Sequence, residues 1–528
     1  MSDEAFSEQM LVGLTPEQRE AVNSHARRLM VRATAGSGKT HVLTLRIQRR
    51  ILQGEITPDQ VLAMTFTRKA GDELRRRLFK AGVRDIRAGT FHRAALTIIS
   101  RYRQDHNLRP YTLESHRARL VTSLASQLNT DGEMAIADWQ LPRVEQELGW
   151  ALSQGFTGVT YSKNAKKLKR EAPLPIPVFA EFIDRYIGMC QARHVLDFDL
   201  LLREAINLLQ TDKAVRDGFR HTTPALFVDE TQDMNPLQFS LLREMAGDDP
   251  DLFCVGDPNQ SIYGFNGANP QLMTEVLETW PDTQVLDLTR NHRSTASIIA
   301  VASTLLEAGA RGIEPARDDG EVPMVRAYNT DTEEANAVAT WLANHHSAQS
   351  SWRSMAVLAR TNRELERIAA TLEFADIPFE RRGAEHSPAS DLVGPREVNR
   401  RVVDIEHPDA VALSTIHRAK GLEFQHVACI GWAEGILPNY NAKTDDEIAE
   451  EQRLAYVALS RAEHSLFVSY SKAKDDPKFP NRLPSRFLAP VIEKVQQIEK
   501  IQAPLTGEVR KNRLAELRAT LEANSPES

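Results

Sequence analysis

The stretch Ala33-Thr34-Ala35-Gly36-Ser37-Gly38-Lys39-Thr40 lies between the apolar run Leu29–Val31 and a helical pattern over Val42–Ile51. A turn of small residues between a strand and a helix lets successive backbone N–H groups and the helix N-terminus surround a phosphate. In such a loop Lys39 neutralises the β- and γ-oxygens of a nucleotide, and the Thr40 hydroxyl can ligate magnesium. Ala33 takes the place of the first glycine of the general pattern, a small departure. The loop therefore predicts an α/β fold with the phosphate site at the end of a strand.

Outward from this loop the same alternation recurs. Short β-rich runs at Val61–Thr65, Ala225–Asp229, Leu252–Gly256, Met355–Leu358 and His426–Ile430 each precede a turn and an amphipathic stretch, which predicts parallel strands of α/β units. One of these runs ends in Asp229-Glu230-Thr231-Gln232-Asp233. Asp229 at the strand tip can hold the hydration shell of magnesium, while Glu230 beside it can take the proton from an attacking water. Paired acids after a buried strand favour hydrolysis over binding alone.

Two stretches break the rhythm. Between Arg101 and Leu196 the pattern is helical, with Trp139, Trp150 and a basic run of Lys163, Lys166, Lys167, Lys169 and Arg170, readable as a solvated helix face or as a duplex contact. From Gly383 to Ala410 the chain carries Pro, Ser, Asp and Arg without sustained periodicity, which predicts a loop-rich connection.

At 528 residues and roughly 150 residues per domain, a single small module is excluded. The 41% apolar and 26% charged content excludes collagen-like, low-complexity and largely disordered chains. No run approaches the ~18 apolar residues of a membrane span, and the acidic opening MSDEAFSEQM has no apolar core, so the expectation is a cytoplasmic protein with no membrane partner. Cys190, Cys254 and Cys429 have no second Cys or His at ligand spacing, so neither a disulfide framework nor a zinc site is expected. A net charge of −7 argues against a histone-like role but allows nucleic-acid binding along one basic cleft.

Further strings then occur in a fixed order. They are Leu14-Thr15-Pro16-Glu17-Gln18 before the phosphate loop, then Thr65-Phe66-Thr67-Arg68-Lys69-Ala70, Gly89-Thr90-Phe91-His92 and Asp197-Phe198-Asp199. Gly256-Asp257-Pro258-Asn259-Gln260-Ser261-Ile262-Tyr263-Gly264, Asn291-His292-Arg293-Ser294 and Thr415-Ile416-His417-Arg418-Ala419-Lys420-Gly421-Leu422-Glu423-Phe424 follow. Tyr456-Val457-Ala458-Leu459-Ser460-Arg461-Ala462 and Pro484-Ser485-Arg486-Phe487-Leu488 complete the series. Each string is weak alone; together and in this order they resemble superfamily 1 DNA helicases of the UvrD, Rep and PcrA type.

The resemblance implies two RecA-like parallel-sheet lobes, with ATP and Mg2+ in the cleft between them and single-stranded DNA across their top. It implies a first lobe at 1–100 and 193–285, a helical insertion at 101–192, a second lobe at 286–495 with a shortened insertion at 383–410, and a charged helical tail at 496–528. Carried over by position, Gln18 reads the adenine edge, Gln260 senses the γ-phosphate, Arg293 and Arg461 act as arginine fingers, and Glu423 meets the ribose. His41 and His292 stand where the family places an Arg and a Tyr around the adenine. The matched DNA positions are Phe66, Thr90, His92, Tyr263, Phe265 and His417, with Phe265 in place of the usual Trp and Asn266 in place of the usual Arg. The implied activity is ATP-dependent 3′→5′ translocation on single-stranded DNA and DNA unwinding, in repair, replication or recombination. The implied partners are single-stranded DNA, single/double-strand junctions and a separate nuclease or repair protein.

Overall fold

The computed structural model describes residues 11–168, 170–307, 312–381, 409–473 and 481–502. Six strands form the first sheet: β1 (Arg28–Ala33), β2 (Val61–Thr65), β3 (Arg87–Thr90), β4 (Ala225–Val228), β5 (Asp251–Gly256) and β6 (Gln284–Leu288), in the order β3-β2-β4-β5-β1-β6. Every pairing in it is parallel. The two-residue alternation of a strand sends neighbouring side chains to opposite faces. Thus Leu29 and Val31 of β1 join one buried cluster and Met30 the other, and β2 splits Val61 and Ala63 from Leu62 and Met64 in the same way. Both faces are covered, as all-parallel sheets require.

The second sheet repeats the plan with β7 (Met324–Thr330), β8 (Met355–Ala359), β9 (Phe379–Arg381), β10 (Val411–Thr415), β11 (Phe424–Cys429) and β12 (Ala462–Ala473), ordered β7-β12-β11-β8-β10-β9. Here too all pairs are parallel. Ala356 and Leu358 face one cluster, Met355, Val357 and Ala359 the other. The architecture is two RecA-like α/β lobes.

Helices Arg117–Thr130, Leu141–Ser153, Gly158–Asn164 and Ile176–Ala192 fill the region read as a helical insertion. Their apolar faces do not close a core of their own: Leu124, Leu148 and Phe179 belong to the same cluster as Met30 and Leu226 of the first sheet. A two-residue parallel pair, Thr112–Leu113 against Val195–Leu196, draws the two ends of the region together. Within the basic run Arg170 turns inward. Its Nη2 lies 2.6 Å from Glu147 Oε2 and its guanidinium stacks 4.1 Å over the Trp150 ring, because a half-buried cation needs both a carboxylate and an apolar cover. Lys163, Lys166 and Lys167 stay exposed, and Lys169 lies outside the described residues.

Of the stretch from Gly383 to Ala410, residues 383–408 lie outside the described residues, as do residues 503–528 of the expected tail. The helix Leu488–Gln502 precedes them and buries Val491, Val495 and Ile498 on the second lobe. All three cysteines are buried and free. Among the described residues no helix is long and apolar enough to cross a membrane.

Candidate active site

The phosphate loop leaves β1 at Ala33 and turns through Gly36 at φ +69° and Gly38 at φ +80°. Gly38 caps the helix Lys39–Leu52 without a side-chain hydrogen bond, so the first helical amides remain available to an anion. The loop carbonyls are held from outside. Asn291 Nδ2 donates to Ala35 O at 2.7 Å, the His292 amide to Gly36 O at 2.9 Å, and Gln18 Nε2 to Ser37 O at 2.9 Å. With the carbonyls so occupied, the loop offers an anion its N–H groups. The approach is close enough that a Cβ at Gly36 would meet Asn291 Nδ2 at 2.7 Å, and one at Gly38 would meet Gln18 Nε2 at 2.9 Å. Glycine is therefore needed at both positions for space as well as for positive φ.

Thr40 Oγ1 donates to Asp229 Oδ2 at 3.0 Å, which joins the loop to the tip of β4. A hydroxyl and a carboxylate side by side at a phosphate loop are the hard oxygen donors that magnesium takes while keeping most of its waters, so these residues fit the ion. The chain then turns at Glu230, a non-glycine residue held at φ +52°, a conformation that persists where the surroundings impose it. Burial pushes the Asp229 carboxyl up, and the adjacent Glu230 adds to the push. Burial acts on Glu230 too, but Lys39 and Lys420 outweigh it and hold that carboxyl low and ionised. Gln232 Nε2 donates to Glu230 Oε2 at 2.5 Å and fixes its direction.

The second lobe closes the cleft with cations. Arg461 is 1% exposed, and its Nη2 donates to Gln260 Oε1 at 3.1 Å, while Nε donates to Val457 O at 3.0 Å. Burial, with Arg293 nearby, lowers its pKa to about 9. Gln260 Nε2 in turn donates to Asp257 Oδ2 at 2.6 Å. Arg293 Nη1 donates to Ser460 O at 3.0 Å, Nη2 pairs with Glu423, and its buried Nε has no partner among the described residues. His41 and His292 are exposed. Desolvation by neighbouring side chains lowers both imidazole pKa values, with repulsion from Arg77 at His41 and from Arg290 at His292. The Gln18 amide is engaged at both ends, its Oε1 accepting the Thr15 N–H at 3.0 Å.

One contact was not singled out by the sequence reading. Lys420 Nζ lies 2.7 and 2.6 Å from the two Asp233 oxygens and also donates to Gln260 O. Both side chains are almost fully buried. Burial drives the Asp233 carboxyl up to about 7 against the pull of Lys420. The pair spans the lobes between motifs 187 residues apart; an acid after a buried strand and a Lys within an apolar-flanked motif are the only local signals.

On the face that the resemblance assigns to DNA, rings gather from both lobes. Phe66 stacks on Tyr263 at 4.8 Å, Tyr263 stands 6.1 Å from Phe265, and Phe265 meets His417 edge-on at 5.5 Å. Tyr263 OH donates to His417 O at 3.2 Å, and Lys420 Nζ lies 5.1 Å from the Tyr263 ring centroid. Burial lowers the His417 pKa to about 3, so the ring is neutral. Thr90 and His92 are engaged differently. Thr90 is 8% exposed and its Oγ1 accepts the Arg93 amide as a helix cap, and His92 packs edge-on against Phe198 at 5.5 Å. Among the described residues neither side chain makes a ring contact with Phe66, Tyr263, Phe265 or His417.

A phosphate loop, paired acids and arginines converging on them define a two-lobed nucleoside-triphosphate-binding protein. The chain belongs to the UvrD/REP helicase family: the UvrD/REP helicase N-terminal domain matches residues 14–281, and the UvrD-like helicase C-terminal domain matches 286–386 and 396–473. It is 28% identical to the ATP-dependent DNA helicase UvrD2 of Mycobacterium tuberculosis over 623 aligned positions, covering 98% of this chain and 86% of that one. It is also 29% identical to the ATP-dependent DNA helicase UvrD1 of the same organism over 459 positions, covering 80% of this chain and 57% of that one. At least 95 positions of the UvrD2 alignment, the excess of 623 over 528, have no residue here.

Proposed function

We propose that this chain is an ATP-driven motor that moves 3′→5′ along single-stranded DNA and unwinds DNA. The observation that carries the reading is the path from Asp233 and Gln260 through Lys420 to Tyr263, which joins the segment that follows the paired acids to the ring cluster across the lobes. Glu230 takes the proton of the attacking water. Lys39, Arg293 and Arg461 place positive charge on the transferring phosphoryl group, whose loose transition state responds mainly to positioned charge. Thr40 and Asp229 would hold Mg2+, which would supply charge neutralisation at the phosphate oxygens. Because the arginines come from the second lobe, hydrolysis depends on closure, and reopening after hydrolysis yields a step.

Rings that stack on any base predict binding to single-stranded DNA without sequence preference, at tails and at single/double-strand junctions. The 28 residues from Gly383 to Ala410 are too few to enclose a core, which supports a compact form lacking a second-lobe inserted domain. On that reading the domain limits are those expected from the sequence, except that β6 carries the first lobe through Leu288 rather than 285, and unwinding of long duplexes depends on a partner, such as a nuclease or repair protein, or on several motors per strand. The setting is cytoplasmic DNA repair, replication or recombination. A phosphate-loop switch without motor action is the alternative class. DNA-stimulated ATP hydrolysis and strand displacement on duplexes with a 3′ or a 5′ tail separate the two: the motor reading requires stimulation and opening from the 3′ tail, and an ATPase indifferent to DNA contradicts it.

A further inference from the structure

A cavity of about 560 Å³ opens beside the first sheet, and none of the ATP-site residues lines it. Its floor is the free side of β3. Among the described residues that strand is the outermost of its sheet and pairs only with β2, so the backbone groups directed away from β2 have no strand partner there. Ile86, Ala88, Gly89 and Thr90 all line the cavity, which therefore runs the length of this edge. One wall is the helix Phe91–Asp105, presenting Ile98 and Tyr102. The other is the helix Lys213–Thr222, which is amphipathic yet has no buried residue. A surface helix ordinarily buries its apolar stripe; here Val215 and Phe219 are only half-buried against the first-lobe core, and with Ala214 and Gly218 they also line the cavity.

The charges around this apolar slot are mostly positive. Arg75, Arg87, Arg93 and Arg101 line it, against the acids Asp105 and Asp212. The Asp212 carboxylate is already engaged, accepting the Ala214 and Val215 amides as a helix cap, and Asp105 lies 4.0 Å from Arg101. Arg75 pairs with Asp72 and Arg87 donates to the Asp59 and Thr222 carbonyls, so the exposed Arg93, and Arg101 where a ligand carboxylate replaces its loose 4.0 Å pairing with Asp105, are the cations a ligand reaches. An unpaired strand edge, an apolar slot beside it and cations at its mouth are complementary to one chemistry. The geometry points to a docking groove for an extended acidic segment of a partner protein, added as a strand on β3 with alternate apolar side chains in the cavity and carboxylates toward Arg93 and Arg101. Main-chain pairing supplies affinity in such strand addition, and pockets for alternate side chains supply selectivity. Single-stranded DNA suits the slot less well, because its phosphates would face an apolar lining. Since Thr90 lies at one end of the groove, the partner would be tethered beside the ring cluster that we assign to DNA.

The test is fluorescence anisotropy of the full chain with a dye-labelled decapeptide in which aspartate alternates with leucine or phenylalanine. Saturable binding is expected, with loss when lysine replaces aspartate in the peptide. Arg101→Glu and Ala214→Trp, both at exposed positions, should each weaken binding by about tenfold or more while DNA-stimulated ATP hydrolysis stays unchanged. Hydrogen exchange at the β3 amides should slow in the complex. No saturable binding, equal binding of the lysine peptide, or indifference to both variants would overturn the proposal. So would displacement of the peptide by oligo-dT with the same sensitivity to the variants, which would give the groove to DNA.

Discussion

In the cleft that we assign to ATP the functional groups are charged, buried and tied to partners across the lobes, as in the Arg461–Gln260–Asp257 chain, whereas on the face that we assign to DNA they are rings that touch chiefly one another. The difference follows from the two chemistries. Charge developing on phosphate is stabilised best by groups fixed in advance in a water-poor site. A polymer of any sequence that must be gripped and released calls for stacking surfaces with no fixed hydrogen-bond code. Phe265, 49% exposed, and Arg461, 1% exposed, mark the two extremes. Lys420 sits where they meet, with its nitrogen on Asp233 and on the face of Tyr263.

The largest effect is expected on the cleft side. Lys39→Ala and Glu230→Gln should each abolish DNA-stimulated hydrolysis in a steady-state assay, and Glu230→Gln should still bind nucleotide. Loss of a general base alone costs ~10²–10⁴-fold, so near-normal turnover by Glu230→Gln would remove Glu230 from that role.

The junction between the two regions comes next. Lys420→Met strands the buried Asp233, and breaking a buried pair costs about 3–5 kcal/mol. The ratio of DNA-stimulated to basal hydrolysis should collapse, and adding Asp233→Asn should restore part of the lost thermal stability. Additive effects in that double-mutant cycle would break the link.

A smaller effect belongs to the DNA face. Phe265→Ala should weaken oligo-dT binding by ~1–3 kcal/mol with basal hydrolysis intact, and Phe265→Trp should strengthen it. A fall in basal hydrolysis equal to the loss of DNA affinity would erase the contrast between the two regions. Smallest of all, His292→Tyr should lower the KM for ATP a few-fold with kcat unchanged, since a larger ring adds stacking area. An unchanged KM would take His292 away from the base.

Strands with continuous apolar runs were legible in the sequence: Val61–Thr65 is β2 to the residue, and Met355–Leu358 lacks only Ala359 of β8. Strands with small or polar residues were not. Arg87–Thr90 reads Arg-Ala-Gly-Thr, and β7 carries Arg326 and Asn329, because an edge strand need not be apolar throughout. The predicted Ala225–Asp229 ends at Val228, since Asp229 already belongs to the turn forced by Glu230 at positive φ. In the site, local strings carried the phosphate loop and the acids. Lys420 with Asp233, and Asn291 on the loop carbonyl of Ala35, depend on how two distant segments meet, and no local spacing encodes that. Thr90 and His92, which a motif assigns to DNA, also carry local roles that the motif does not announce, an N-cap on the Arg93 amide and an edge-on contact with Phe198.

The central claim, that closure of the cleft drives directional movement along DNA, is tested most directly by stopped-flow translocation on oligo-dT of increasing length carrying a dye at the 5′ or the 3′ end. The account predicts an ATP-dependent lag that lengthens with the oligonucleotide when the dye is at the 5′ end, and no such lag at the 3′ end. Arrival times independent of length at both ends, with hydrolysis intact, would contradict it.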